Sequence, residues 1–141
     1  MFTRFLLAAL MLTGISGCSK SSYAFEKRSP VSGSVTVADK PASGVIVRFH
    51  LTPGTAADEK ATKLVETITD GDGAFRVSQN SPGDGMAPGK YTVTFFWPPG
   101  GDPETPASAD QLKGRFLKQE ASKVQIDVLP QTNSLPPFEL K

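Results

Sequence analysis

Lys90-Tyr-Thr-Val-Thr-Phe-Phe-Trp97 is the stretch that decides the fold. Tyr91, Val93, Phe95 and Trp97 occupy every second position, with Thr92, Thr94 and Phe96 between them. Side chains alternate faces along a strand, so these eight residues put four large apolar groups on one side of a sheet. Upstream, residues 79–89 are rich in Gly and Pro and read as a loop. Ala74-Phe-Arg-Val-Ser78 is a short strand that inserts Phe75 and Val77, and Asp70-Gly-Asp-Gly73 is a tight turn of the hairpin kind. Residues 64–69 are rich in β-branched side chains and form a further strand, although their alternation is poor. Residues 52–63 are a polar loop around Pro53-Gly54. In residues 44–51, Val45, Val47, Phe49 and Leu51 face one way and Ile46, Arg48 and His50 the other. Residues 31–37 alternate as well, with Val31, Gly33, Val35 and Val37 on one side. The turn over 38–43, where Pro41 fixes its φ, is expected to join these two strands as a hairpin.

Downstream, residues 98–122 are a long insertion whose Pro/Gly-rich start excludes a strand. Residues 108–114 suit one helical turn, with Ser108 as N-cap and Gln111 closing a capping box. Lys123 to Val128 alternates again, with Val124, Ile126 and Val128 inward, and residues 130–134 turn the chain. Leu135-Pro-Pro-Phe-Glu-Leu140 reads as an edge strand, because two prolines exclude a central position. About seven short strands with almost no helix predict an all-β fold, a single Greek-key β-sandwich. The 13 Gly and 12 Pro supply the turns such a fold needs.

The first segment has a different character. Met1-Phe-Thr-Arg4 carries one positive charge, and Phe5 to Leu12 is an apolar run of eight residues. That run is far shorter than the roughly 20 residues of a membrane span, and fits the core of a secretory leader. Ile15-Ser-Gly-Cys18 follows, and resembles the bacterial lipobox. The resemblance implies cleavage before Cys18, acylation of its sulfur and then of its new amino group. Cys18 is the sole cysteine, so no intramolecular disulfide is available. Residues 19–29 read as a polar tether with a reach of about 40 Å. The expected organisation is a leader over 1–17, the lipidated Cys18 and tether over 18–29, and a sandwich over 30–141. The protein is expected to be exported and held by that lipid anchor in the bacterial cell envelope. Taking Arg4 from the 15 Lys and Arg leaves 14 against 14 Asp and Glu. That balance argues against a nucleic-acid binder, which presents a basic face.

Four motifs in order resemble the carboxypeptidase regulatory-like (transthyretin-like, prealbumin-like) domains. They are Val31-Ser-Gly-Ser-Val35, Lys40-Pro-Ala-Ser-Gly-Val-Ile-Val-Arg-Phe49, Thr69-Asp-Gly-Asp-Gly-Ala-Phe75 and Pro88-Gly-Lys-Tyr-Thr-Val93. The resemblance covers about residues 30–140 and implies a seven-stranded sandwich in a bacterial lipoprotein; it says little about ligand. The hydroxyisourate hydrolases related to transthyretin need several histidines and a Tyr-Arg-Gly-Ser ending. This chain has one histidine and ends Phe138-Glu-Leu-Lys141.

The inventory of reactive residues is thin. His50 alone forms no metal cluster or catalytic triad, and reads as a surface or sheet-edge histidine. Asp70 and Asp72 resemble the start of a calcium loop, but position 81 is Ser where a bidentate Glu is needed. No cofactor, metal or enzyme active site is expected. The chain is expected to be a non-catalytic, membrane-anchored protein with a structural or binding role in the envelope. Phe96, Trp97 and Asp102, beside the 98–122 loop, form the candidate binding surface for a glycan or a peptide of an envelope protein. The competing expectation is that Trp97 caps the core and Phe96 packs under the insertion.

Overall fold

The computed structural model describes residues 27–141, so the leader over 1–17, Cys18 and the tether through residue 26 lie outside the described residues. Alternation along the chain produces β1 (Val31–Val37), β2 (Lys40–Pro41), β3 (Ile46–Leu51), β4 (Leu64–Ile68), β5 (Ala74–Arg76), β6 (Gly89–Phe96), β7 (Gln125–Val128), β8 (Asn133–Ser134) and β9 (Phe138–Leu140). Among the described residues, the only helical segments are three-residue 3-10 turns. β1 is the spine of one sheet: β2 and β5 pair antiparallel with it, and β8 and β9 run parallel to it. The other sheet has the order β4-β3-β6-β7, antiparallel throughout.

The two sheets face each other across one core, giving the expected all-β sandwich. Val31, Val35, Phe75 and Phe138 come from the first sheet. Val47, Phe49, Val65, Tyr91, Val93 and Phe95 come from the second. Aromatic rings bridge the layers: Phe49 meets Phe75 at 6.0 Å between centroids, and Phe95 meets Phe138 edge-on at 5.2 Å. Two of the buried polar groups, Tyr91 and Thr69, are satisfied within this core. The Tyr91 hydroxyl donates to the Ala87 carbonyl at 2.7 Å, and Thr69 Oγ1 donates to the Ala42 carbonyl while accepting from the Val45 N–H.

Two expected hairpins are corrected. β1 does not pair with β3. It turns through Ala38 and Asp39, at φ 48° and 62°, into the two-residue β2. A two-residue turn with both central φ positive matches the twist of a tight ribbon. β3 then joins the opposite sheet, where Val47 and Phe49 cover β1 face to face. Asp70-Gly-Asp-Gly73 likewise carries the chain from β4 in one sheet to β5 in the other. Asp70 Oδ1 accepts from the N–H of Asp72 at 2.9 Å and of Ala74 at 3.0 Å, so the aspartate turns the chain without a β-ladder.

The insertion carries no strand, as expected, but its helical turn is not capped by Ser108. A 3-10 turn at Ala107–Ala109 follows Pro106 with no side-chain cap. The buried Asp110 organises the segment instead. Its Oδ1 accepts from the N–H of Trp97 at 3.0 Å and of Leu112 at 3.1 Å, and its Oδ2 from the N–H of Gly114 at 2.9 Å. Beyond β7 the chain ahead of it follows the edge of β6: the Val93 N–H donates to Val124 O, and the Phe95 N–H to Phe116 O of the insertion, each at 2.9 Å. It thereby covers an open sheet edge and adds Leu112 and Phe116 to the core.

Candidate functional site

Phe96, Trp97 and Asp102 do not form one surface. Phe96 is 3% exposed, paired with Ile46 in the ladder and overlain by the Arg48 guanidinium 5.5 Å from its ring centroid. Trp97 is half-buried against the core, and its indole N–H donates to the Ser43 carbonyl at 2.9 Å. Asp102 is exposed, but its Oδ1 accepts the Glu104 N–H at 2.9 Å, which ties it to its own loop. The candidate binding surface over Phe96, Trp97 and Asp102 is therefore corrected. The register of β3 against β6 sets Ile46 beside Phe96 and Arg48 over it, so Phe96 is buried by β3 and not by the insertion.

His50 lies on the interior strand β3, not at a sheet edge. Its Nε2 shares a 2.9 Å hydrogen bond with Thr94 Oγ1. Burial, then the neighbouring Arg48 guanidinium, holds its pKa below the ordinary imidazole value, against weaker raising effects of Glu66 and Glu120. Arg48 is itself paired with Glu66, Nε to Oε1 at 3.0 Å. Here the polar groups answer one another, with the Arg48–Glu66 pair partly exposed. Among the described residues, no group of three or more His, Cys, Asp and Glu side chains is placed to hold a metal ion.

A groove of about 1090 Å³ opens at the other end of the sandwich, where β6 begins and β7 finishes. One wall is the loop after β3. Thr55 Oγ1 accepts from the Lys90 N–H at 3.1 Å and donates to Thr52 O at 2.7 Å, which folds that loop onto the start of β6. The opposite wall is residues 127–130, shaped by Asn133. This buried amide accepts from the Leu129 N–H and donates to the Leu129 carbonyl, both at 3.0 Å, and also donates to the Gln131 and Pro30 carbonyls. Ala57, Pro88, Val128, Leu129 and Pro130 give the groove an apolar lining, and Leu129 is 49% exposed. Lys27, Lys60, Lys90, Asp58, Glu59 and Asp127 supply its charges. Among the described residues, no ion pair joins any of these six.

Lys27 is also where the described chain begins, and the next residues are fastened. Arg28 pairs with Asp84 at 2.7 Å, and Ser29 and Met86 exchange both backbone hydrogen bonds at 2.9 and 3.1 Å. Burial would raise the Asp84 carboxyl. The N–H groups of Gln79 and Asn80, the Arg28 guanidinium and the Ser81 N–H outweigh it and hold the group at about 2. Gly85 permits the close approach: at φ +80°, a Cβ there would overlap the Ser29 carbonyl.

No family model and no curated protein matches the chain. Two solved structures are similar to parts of it. One is chlorocatechol 1,2-dioxygenase from Pseudomonas putida, at 16% identity and a TM-score of 0.32, over 52% of this chain and 42% of that one. The other is the dioxygenase domain of a dioxygenase carbohydrate-binding protein fusion from Streptomyces sp. SirexAA-E, at 19% identity and a TM-score of 0.40, over 86% of this chain and 85% of that one. This chain thus spans less than half the length of the first. Both neighbours are dioxygenase structures, and against them the expectation that this chain is not an enzyme is corrected and does not stand. TM-scores of this size carry no reaction, metal or substrate over to this chain.

Proposed function

We propose that the chain is an exported lipoprotein, anchored through Cys18, whose sandwich works at a membrane surface of the cell envelope in a structural or binding role. The observation that carries this reading is the fastening at the start of the domain. From Arg28 onward the chain is bound into the fold by the Asp84 ion pair and the Ser29–Met86 bridge. Ten residues separate Arg28 from Cys18, a span of at most about 35 Å. An anchor at Cys18 would therefore keep the domain beside its membrane, within reach of an envelope protein or a glycan. The order of charge, apolar run, small residues and cysteine in residues 4–18 supports the anchor itself. Two or more acyl chains on one residue hold a protein to a bilayer stably, where a single chain does not.

The test is the intact mass and detergent-phase partition of the native protein beside Cys18→Ala. The expected result is acyl mass on a chain that starts at Cys18, and release of the variant from the membrane fraction. A native protein that is unacylated and partitions into the aqueous phase overturns the proposal.

A further inference from the structure

We infer that the groove between residues 55–60 and 127–130 is a bilayer-docking surface that seats zwitterionic, amine-bearing phospholipid headgroups. The inference rests on the anchored reading above.

Three observations carry it. The first is position. Lys27 lines the groove and lies nine residues from Cys18, so the groove end stays within about 30 Å of the anchored sulfur. The far end of the sandwich is a further strand length away, because β6 runs from the groove at Gly89 to Phe96. The second is surface chemistry. The groove is open and mostly apolar, and Leu129 and Pro130 stand exposed on its wall. An apolar side chain of that kind seats at the boundary of headgroups and acyl chains.

The third is charge. Three ammonium groups (Lys27, Lys60, Lys90) stand with three carboxylates (Asp58, Glu59, Asp127), and no ion pair among the described residues engages them. A basic patch gains about 1 kcal/mol per Lys or Arg on an anionic surface. Here the carboxylates cancel that gain. Both signs are answered by one partner: a headgroup whose phosphate meets the lysines and whose ammonium donates to the carboxylates. A trimethylated amine has no N–H to donate, so phosphatidylcholine satisfies only the phosphate half.

The experiment uses the full lipoprotein in vesicles. Acylation consumes the only native thiol, so a cysteine placed at Leu129→Cys or, near the far end, at Glu104→Cys takes a fluorescent label alone. Lipids carrying a quencher at the headgroup–acyl boundary report depth. In phosphatidylcholine vesicles containing phosphatidylethanolamine, the label at 129 is expected to be quenched roughly twofold or more over the label at 104, as seating about 5–10 Å deep requires. The difference should shrink when phosphatidylethanolamine is left out, and in Asp58→Asn/Asp127→Asn. Equal quenching at the two positions overturns the inference and leaves the domain free on its tether. Stronger quenching in vesicles rich in phosphatidylglycerol overturns it in favour of a simple basic patch. Failure of the anchor itself reads differently: no acyl mass and no vesicle-bound protein, in which case the docking surface falls with it.

Discussion

Replacing Asn133 with Ala tests whether one buried amide builds the groove wall. Asn133 is 8% exposed, and its two side-chain ends are used differently. Oδ1 accepts the Leu129 N–H at 3.0 Å; Nδ2 donates to the carbonyls of Leu129 and Gln131, and more distantly to that of Pro30 at 3.4 Å. Three good hydrogen bonds at about 1 kcal/mol each put the loss for Asn133→Ala near 3 kcal/mol. A domain of this size is stable by about 5–15 kcal/mol, so the variant should fold with a much reduced margin. In urea the midpoint should fall by roughly 1–2 M. The fluorescence of Trp97, the sole tryptophan, reports the transition from the opposite end of the sandwich. Asn133→Asp sharpens the test. It keeps the acceptor toward Leu129 N–H but turns a carboxylate oxygen on carbonyls that need a donor. At neutral pH it should be less stable than the alanine variant, and it should recover below about pH 4, where protonation restores a donor. An alanine variant within about 0.5 kcal/mol of the native protein, or an aspartate variant more stable than alanine at neutral pH, refutes the reasoning. The exposed neighbour Thr132→Ala, expected within about 0.5 kcal/mol, is the control.

The Asp84 carboxyl sits at about 2 in the fold against an ordinary 3.8, so the unfolded chain binds its proton first as pH falls. Its contribution, about 1 kcal/mol once solvent screening is allowed for, is present above pH 4 and disappears toward pH 2, and the stability gap between native protein and Asp84→Asn should close over that window in acid titrations of the urea midpoint. Gly85→Ala forces a Cβ onto the Ser29 carbonyl at positive φ; it should cost about 3 kcal/mol or more and accelerate amide exchange at Ser29 and Met86 above all other sites. Asp110→Ala leaves three backbone N–H groups without their acceptor and should cost about 2–3 kcal/mol, with a red shift of Trp97 emission as the insertion loosens.

Period-2 alternation made the faces of the strands legible. Tyr91, Val93 and Phe95 are buried where their spacing put them, and Phe75 and Val77 enter the core as expected. Alternation says which side of a strand is apolar, but not which sheet the strand joins. The pairings of β1 with β3 and of β4 with β5 were therefore misread: nearness in sequence favours hairpins, whereas burial of two apolar faces favours stacking. The same gap misplaced Phe96. Its same-face neighbours along the chain are Thr94 and Pro98, but its neighbours across the sheet are Ile46 and Arg48, and they decide its exposure. Asp110 and Asn133 carried a weak signal, as short polar side chains that bond local backbone in Pro- and Gly-rich loops. The groove carried none, because residues 55–60, 88–90 and 127–130 meet only once β3, β6 and β7 are paired, and residue 27 joins them from the chain ahead of β1.

The two ends of the sandwich differ in a way that bears on use. At the end where β6 finishes, the groups nearest the strand end are answered: Trp97 by Ser43, Phe96 by Arg48, Arg48 by Glu66, and the loop backbone by Asp110, while Ile68 stays 49% exposed. At the end where β6 begins, polar side chains are used on backbone, as in Thr55, Asn133 and Asp58, whose Oδ1 accepts the Lys60 N–H at 2.9 Å, and among the described residues no ion pair joins the charges of the two walls. The chain enters the fold at that same end, through Lys27 and the Arg28–Asp84 pair. An anchor at Cys18, as proposed above, would bring this end of the sandwich closer to a membrane than the end where β6 finishes.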